Sequence, residues 1–550
     1  MKTELMASIV RLKSELVCAS RRTWVGVVSM ALAAIGGFGL VVLATGHGAG
    51  LSADSAFYLG VANELAAGHG LTVPWGTPEP TPLGTRWGPF MPAVLAAIAQ
   101  FGPHPVDAIR WVNAICLMCT ALICGVAVWK ATGSTVLSVV ISMLLATSCT
   151  ALDVHAMAWS EPIFILFAVL ALALMATYLR TRQRVILLAA FGSVVASCLT
   201  RYAGASLAVT VFLCLLFQPA RWRYRIAAMG GVVLLGMLPM APGAPSWIHW
   251  MLEHLGGAIL DAPKTTTLQT LRIREGLDVL MGWLWPWGLD AVRPRSAMIQ
   301  LIPAMLLIGA ISILTIGSWR AILRRSVLRP TGAELAAVSG LFIAVYPLFI
   351  LAAVACFGRT VSFTPRIMLP LMPAGLMVLA VGWNQHVHRF AISRRLMPGC
   401  ATACALALMV RVAGAVDHCF YRAGSSGIGA QGYHHESWRG SPTIAALGGL
   451  SESATIYSNA PDAIYLLTGR RAIWLSLFGK NEDGTDVAPT ASVQASGESY
   501  IVYFDRLAWR PSSPKRDDLA ARWPIRALST MRDGSIFAVD GVLTRGGAEE

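Results

Sequence analysis

Long apolar runs broken by short polar and basic junctions dominate the chain from Trp24 to Val416. A helix needs roughly 17–25 mainly apolar residues to cross the hydrocarbon. Runs near that length lie at Trp24–Thr45, Ala108–Trp129, Thr135–Ala151, Trp159–Leu179, Met298–Gly317, Glu334–Phe357, Ile367–Trp383 and Met397–Val416. Shorter ones follow at Val185–Leu199, Ala203–Phe217 and Ile226–Ala241, the first two short enough to read as a tilted or re-entrant hairpin. The pattern predicts about eleven crossings. Basic residues gather at alternate junctions: Arg21/Arg22, Lys130, Arg180/Arg182/Arg184, Arg221/Arg223/Arg225, Arg320/Arg324/Arg325/Arg329 and Arg389/Arg394/Arg395. The positive-inside rule assigns these junctions to the cytoplasm. With the amino terminus inside and an odd number of spans, the segment after the first span and the tail after Val416 share the outer side. The first run is longer than a signal-peptide core and lacks a clear small-residue cleavage pattern, so it reads as an anchored helix.

Residues 1–45 therefore read as an amino-terminal cytoplasmic segment and first helix, and 46–107 as a first outer loop with amphipathic helices. Residues 108–416 form the membrane core, carrying an outer loop at Gly243–Ala297, and 417–550 an extracytoplasmic domain. Within that tail, Ala454–Tyr457 predicts a strand, Pro461 suits the first turn of a helix and Gly469 its carboxyl cap. Further strands are expected at Tyr500–Phe504 and at Ile536–Val539, the latter after the Asp533-Gly534 turn. The fold class is an α-helical polytopic membrane protein with a small carboxyl-terminal α/β domain.

Composition agrees: 55% of residues are hydrophobic and 13% charged, with a mean hydropathy of +0.61, far from an average soluble protein. The net charge of +14 comes from clusters at helix ends rather than from one polar face, which argues for topology signals and against nucleic acid. Nearly all of the 11 cysteines lie inside apolar spans and read as small buried hydrophobes. His434-His435-Glu436 has the look of a ligand cluster but stands in a glycine-rich stretch without partners, so no metal site is assigned. The Trp283-Leu284-Trp285-Pro286-Trp287 run reads as an anchor at the headgroup boundary, with a sugar-stacking platform as the alternative.

The chemistry concentrates where spans meet the outer boundary. A membrane enzyme with its polar site there is placed to use a donor whose tail stays in the bilayer, such as a polyprenyl-phosphate sugar. Transfer from that donor needs a carboxylate to take the acceptor proton and cations to hold the phosphate as charge builds on it. Asp54 can supply the base. Arg201 and Arg366 lie at predicted outer ends of spans, where arginine is unexpected, and a guanidinium fork suits phosphate. Glu161 opens a span, where an ionisable group is a functional candidate or a first-turn residue favoured by the helix dipole. Tyr58, one turn beyond Asp54, and Asp153 and His155, in one short outer turn, are further substrate-binding candidates. Ser52, Asp54 or Ser55 could each cap the helix that follows.

Asp54-Ser55-x-x-Tyr58, then Ala62-x-x-Leu65-Ala66-x-Gly68-x-Gly70-Leu71 and Trp87-Gly88-Pro89-Phe90-x-Pro92, resembles the first outer loop of GT-C-type integral-membrane glycosyltransferases. That superfamily includes protein O-mannosyltransferases and aminoarabinose transferases. Ser160-Glu161-Pro162, Leu199-Thr200-Arg201 and Arg366-x-x-Leu369-Pro370-x-x-Pro373 are similar to its later landmarks. Tyr457-Ser458-Asn459-x-Pro461-Asp462 and Leu467-Thr468-Gly469-Arg470 are similar to the tail of bacterial members. The resemblance implies that Asp54 is the catalytic base and that the donor is a polyprenyl-phosphate monosaccharide. It implies an acceptor among envelope lipid, glycan or protein, and a bacterial inner membrane with the site on the periplasmic side. Many relatives carry a second carboxylate where this chain has Ser55, which leaves a divalent metal open. A lipid-linked sugar flippase, a secondary transporter and an O-antigen ligase or polymerase stand as alternatives; the transporter lacks the two repeated halves that class predicts.

Overall fold

The computed structural model describes residues 24–83, 88–217, 279, 297–324, 331–357, 363–386, 397–423, 432–475, 498–507 and 515–540. The expected span Ile226–Ala241, most of the loop Gly243–Ala297 with its tryptophan run, and Trp87 lie outside these residues. The bundle comprises α1 (Trp24–Ala44), α4 (Pro105–Thr132), α5 (Thr135–Ala146), α6 (Cys149–His155), α7 (Glu161–Thr181), α8 (Arg184–Thr200) and α9 (Gly204–Leu216). It continues with α10 (Ala297–Leu323), α11 (Ala333–Phe357), α12 (Pro365–Met368), α13 (Leu371–His386) and α14 (Met397–Ala423). Helices α2 (Ala53–Ala66) and α3 (Phe90–Ala99) belong to the first loop.

Among the described residues, 6 helices are long and apolar enough to cross a membrane, or up to 7 if a bent pair counts as one. The bent pair corrects one expectation: the run Thr135–Ala151 is not one straight helix but α5 and α6, set at 53°. Thr147 and Ser148 make the break because both bond locally, Thr147 Oγ1 to the Met143 carbonyl at 2.6 Å and Ser148 Oγ accepting from the Ala151 amide at 3.4 Å. The short pair of the sequence reading is α8 and α9, with 17 and 13 residues. Helix α14 runs past the expected end at Val416 to Ala423, carrying Asp417 and His418 within it.

Helix α2 departs from the amphipathic expectation. Ser55, Ala56, Tyr58, Leu59, Gly60, Val61, Ala62 and Glu64 are all buried, so the helix is enclosed on most faces. Its start is a capping box between two serines: the Ser52 amide donates to Ser55 Oγ at 2.9 Å and the Ser55 amide to Ser52 Oγ at 3.4 Å. That exchange accounts for Ser55 and leaves the Asp54 carboxylate out of the cap.

The tail is an α/β domain as expected, with one five-stranded sheet in the order β4-β3-β5-β7-β6. The strands are β3 (Thr455–Ser458), β4 (Ile473–Trp474), β5 (Ser499–Phe504), β6 (Ile525–Met531) and β7 (Gly534–Val539), after a small β1–β2 ladder (Thr72–Val73, Thr81–Pro82) in the first loop. Helix α15 (Pro461–Thr468) joins the parallel pair β3 and β4. Strand β6 and helix α16 (Arg516–Arg522) are elements the sequence reading left unassigned.

The first loop and the tail are not separate bodies, because one apolar cluster takes Tyr58, Leu59 and Ala62 of α2, Met91 and Leu95 of α3, and Trp438, Ile456, Ala463, Ile464 and Phe504 of the tail. Trp75 stacks near Tyr465 with centroids 5.0 Å apart. The Gly76 amide and carbonyl bond to Ala472 and Trp474 at 2.8 and 3.0 Å, so the loop runs along the free edge of β4. Leu51 accepts from the Tyr433 amide at 2.9 Å, while Gly50 exchanges bonds with Ala156 and Ala158 at 2.9 and 2.8 Å. Residues 50 and 51 are thereby pinned between the turn that precedes α7 and the entry to the tail domain.

Candidate active site

Four chain segments deliver charge to one end of the bundle. Asp54 stands in the first turn of α2, and Glu161 is the first residue of α7, followed by Pro162; both are positions that suit an acid in the field of a helix amino terminus. Arg201 caps the carboxyl end of α8, with extended backbone that turns the chain into α9. Arg366 rides on α12, a single turn started by Pro365 and capped by Thr364, whose Oγ1 accepts from the Ile367 amide at 3.4 Å.

The four side chains form one alternating chain of charge. Arg366 Nη1 lies 2.7 Å from Asp54 Oδ2, and Arg366 Nε donates to Glu161 Oε1. Arg201 Nη1 meets the same Glu161 oxygen at 2.7 Å. The side chain of Glu161 is only 2% exposed, against 36% for Asp54, so a buried acid holds two arginines while the outer acid is partly open to solvent. Burial opposes the charge on Arg201, but Glu161 outweighs it and the pKa lies above the ordinary arginine value. Glu161 Oε2 is buried without a hydrogen-bond partner among the described residues.

Neutral groups complete the frame. Tyr58 sits beneath Asp54 on α2, and burial pushes its phenol up, so it stays protonated. Ser160 Oγ donates to the Tyr58 oxygen at 2.9 Å and accepts from Arg201 Nη1 at 3.1 Å. The Arg366 guanidinium lies over the Trp159 ring, 3.9 Å from its centroid, and Trp159 Nε1 donates to Ser52 Oγ at 2.8 Å. Tyr346 of α11 donates to the Ile367 carbonyl at 2.7 Å and steadies the Arg366 turn. Ser160 stood in the sequence reading only as part of the Ser160-Glu161-Pro162 landmark, and Trp159 and Tyr346 were not singled out. Ser160 and Trp159 precede Glu161, so adjacency could have found them, whereas a tyrosine inside an apolar span gives no such signal. Gly88 has a steric reason: a Cβ there would lie 2.2 Å from the Thr200 carbonyl oxygen, so only glycine lets the loop approach the end of α8 that carries Arg201.

Asp54, Tyr58, Glu161, Arg201 and Arg366 therefore converge, and two candidates do not join them. Asp153 pairs with His418 Nε2 at 2.7 Å and with Arg422 Nε at 3.6 Å, both on α14. His155 is buried behind Glu161, its Nδ1 bonded to the Ala151 carbonyl at 2.7 Å. His434 bonds the Ala49 carbonyl at 2.8 Å and His435 bonds Ser437. Among the described residues no group of three His, Cys, Asp or Glu side chains gathers as a metal set. Among the described residues the two site carboxylates share a guanidinium and Ser55 is taken up in the cap, so these groups do not themselves make a dication site.

No family model and no curated protein matches the sequence. Solved structures do match. ArnT from Cupriavidus metallidurans aligns over 94% of this chain and 98% of its own, with a TM-score of 0.54 and 13% identity, both in the apo state and bound to undecaprenyl phosphate. The archaeal oligosaccharyltransferase AglB from Archaeoglobus fulgidus, in complex with an inhibitory peptide and a dolichol-phosphate, aligns over 92% of this chain and 73% of its own, with a TM-score of 0.54 and 12% identity. At such identities the agreement is one of fold alone: the chain has the GT-C architecture of these solved structures.

Proposed function

We propose that this protein is a glycosyltransferase of the bacterial inner membrane that moves a monosaccharide from a polyprenyl-phosphate donor to an envelope lipid, glycan or protein at the periplasmic face. The observation that carries the reading is the pair of arginines held by one buried carboxylate beside a partly exposed aspartate. Arg201 and Arg366 would together hold the donor phosphate, and Glu161 keeps both guanidiniums in place. Asp54 takes the proton of the acceptor hydroxyl as its oxygen attacks the anomeric carbon. The bond from that carbon to the phosphate oxygen breaks with its electron pair leaving on the phosphate. A single displacement inverts the anomeric centre.

Charge is conserved across this step. The donor phosphodiester has one negative charge, and the released phosphomonoester approaches about −1.5 to −2. Asp54 loses its own charge on protonation, so the two arginines face nearly the same total before and after. No general acid is required, because the phosphate leaves as an anion the arginines already hold. The known partner classes of the structural neighbours, undecaprenyl phosphate for ArnT and a dolichol-phosphate with a peptide for AglB, support a lipid-phosphate donor.

The test is transfer of labelled sugar by purified protein from synthetic polyprenyl-phosphate sugars to envelope extract, with the product anomer assigned by NMR. Turnover with inversion is expected. Lipid scrambling between leaflets without any transfer would contradict the proposal and favour a flippase.

A further inference from the structure

Arg366 has more partners than a dedicated phosphate ligand needs. Its Nε is committed to buried Glu161, its face rests on Trp159, and its outward Nη1 is taken by Asp54. Asp54 is thus joined to the group that the donor phosphate would contact. Arg366 and Asp54 are both partly open to solvent, at 22% and 36%, whereas Glu161 and its bond to Arg201 are enclosed. The exposed arm of Arg366 can change partner without breaking the buried one.

We infer that Asp54 and the donor phosphate compete for this one guanidinium arm, and that donor binding is what frees Asp54 to act as base. This rests on the lipid-phosphate reading above and adds an order of events to it. In the empty site two arginines balance Glu161 and Asp54, so the site is neutral and the Asp54 oxygen is engaged. A singly charged phosphodiester replaces Asp54 on Nη1 like for like, while Nε stays on Glu161 and the ring of Trp159 keeps the guanidinium plane in position. The aspartate is then left with an unshared oxygen. An acceptor that arrived first would meet an occupied carboxylate, so binding runs donor first, and an acceptor hydroxyl is not activated until there is a sugar to receive it. Arg366 is accordingly both a ligand to the donor and a positioning residue for the base.

A binding experiment separates this from the enzymatic reading, because it needs no turnover. Decaprenyl methyl phosphate, a singly charged phosphodiester, is titrated into the full-length protein in nanodiscs, for wild type, Asp54→Asn, Arg366→Gln and the double variant. Asp54→Asn, which keeps shape and removes the competing charge, should bind the lipid about twofold to fivefold tighter than wild type, the range that loss of a partly exposed ion pair allows. Arg366→Gln should bind at least roughly tenfold weaker. In the double variant the gain from Asp54→Asn should vanish, which general charge repulsion would not produce. Equal or weaker binding by Asp54→Asn, or a gain that survives in the Arg366→Gln background, would overturn the exchange while leaving the lipid-phosphate site standing. Absence of binding by wild type would overturn both. Size-exclusion profiles matching wild type certify the fold of each variant.

Discussion

Asp54 and Asp153 are both aspartates on short helices at the same end of the bundle, and both touch an arginine, yet they sit in arrangements of different kinds. Asp54 meets Arg366 of α12, which meets Glu161 of α7, which meets Arg201 of α8, so four elements converge on one cluster. Asp153 meets His418 and Arg422, one turn apart on the single helix α14. The same face of α14 also sends Arg411 to Thr147 Oγ1 at 3.3 Å and the Leu144 carbonyl at 3.2 Å, at the break between α5 and α6. That strip fastens one helix to the bundle. The difference lies in geometry rather than residue type: a site draws its charges from several elements around a space, and a latch draws them from two elements along a line.

The largest expected effect that sharpens this contrast is on stability. Glu161→Leu leaves two guanidiniums without their shared acid and should cost about 3–5 kcal/mol, the range for breaking a buried ion pair. Asp153→Leu should cost no more than about 1 kcal/mol, since that carboxylate is 32% exposed and screened. Thermal unfolding in one detergent compares the two, and equal losses would erase the distinction.

Next in size, Arg201→Lys keeps charge but loses the planar fork, and should lower sugar transfer by roughly tenfold, about 1.4 kcal/mol. His418→Ala and Arg422→Ala should each leave transfer within about twofold, because a surface latch holds little free energy.

The smallest effect is one of pH. His434, half-buried beside Ala49, holds the segment leading to Asp54; burial lowers its pKa below the ordinary 6.5, with the Ala49 carbonyl acting against that shift. The unfolded chain therefore binds the proton more readily, so this contribution is complete above pH 6.5 and is lost as pH falls below it. Hydrogen exchange should show residues 48–52 opening faster at acid pH in wild type, and a flat response in His434→Gln.

Much of the architecture was legible in the sequence because the bilayer demands it. Apolar runs gave the long helices, and Pro461 and Gly469 bounded α15, where Gly469 does take φ +73°. Asp54, Glu161, Arg201 and Arg366 were found because charged groups at span ends are costly unless used. What escaped reading depends on contacts distant in sequence. Whether α2 lies on a surface or inside is decided by the tail that covers it, and hydropathy cannot see that cover. The break at Thr147 is made by hydroxyls inside an otherwise apolar run. Asp153 was read as a substrate-binding candidate beside Asp54, and it is the positions of α12 and α14 that set the two aspartates in different clusters.

The central claim is that Asp54 is the base and Asp153 is not. Purified wild type, Asp54→Asn and Asp153→Asn should be compared for transfer of labelled sugar from a saturating polyprenyl-phosphate donor, with folding matched by size exclusion. The account predicts that Asp54→Asn loses roughly 10²- to 10⁴-fold in turnover while Asp153→Asn stays within about twofold of wild type. Full turnover by Asp54→Asn, or an equal loss in both variants, would contradict it.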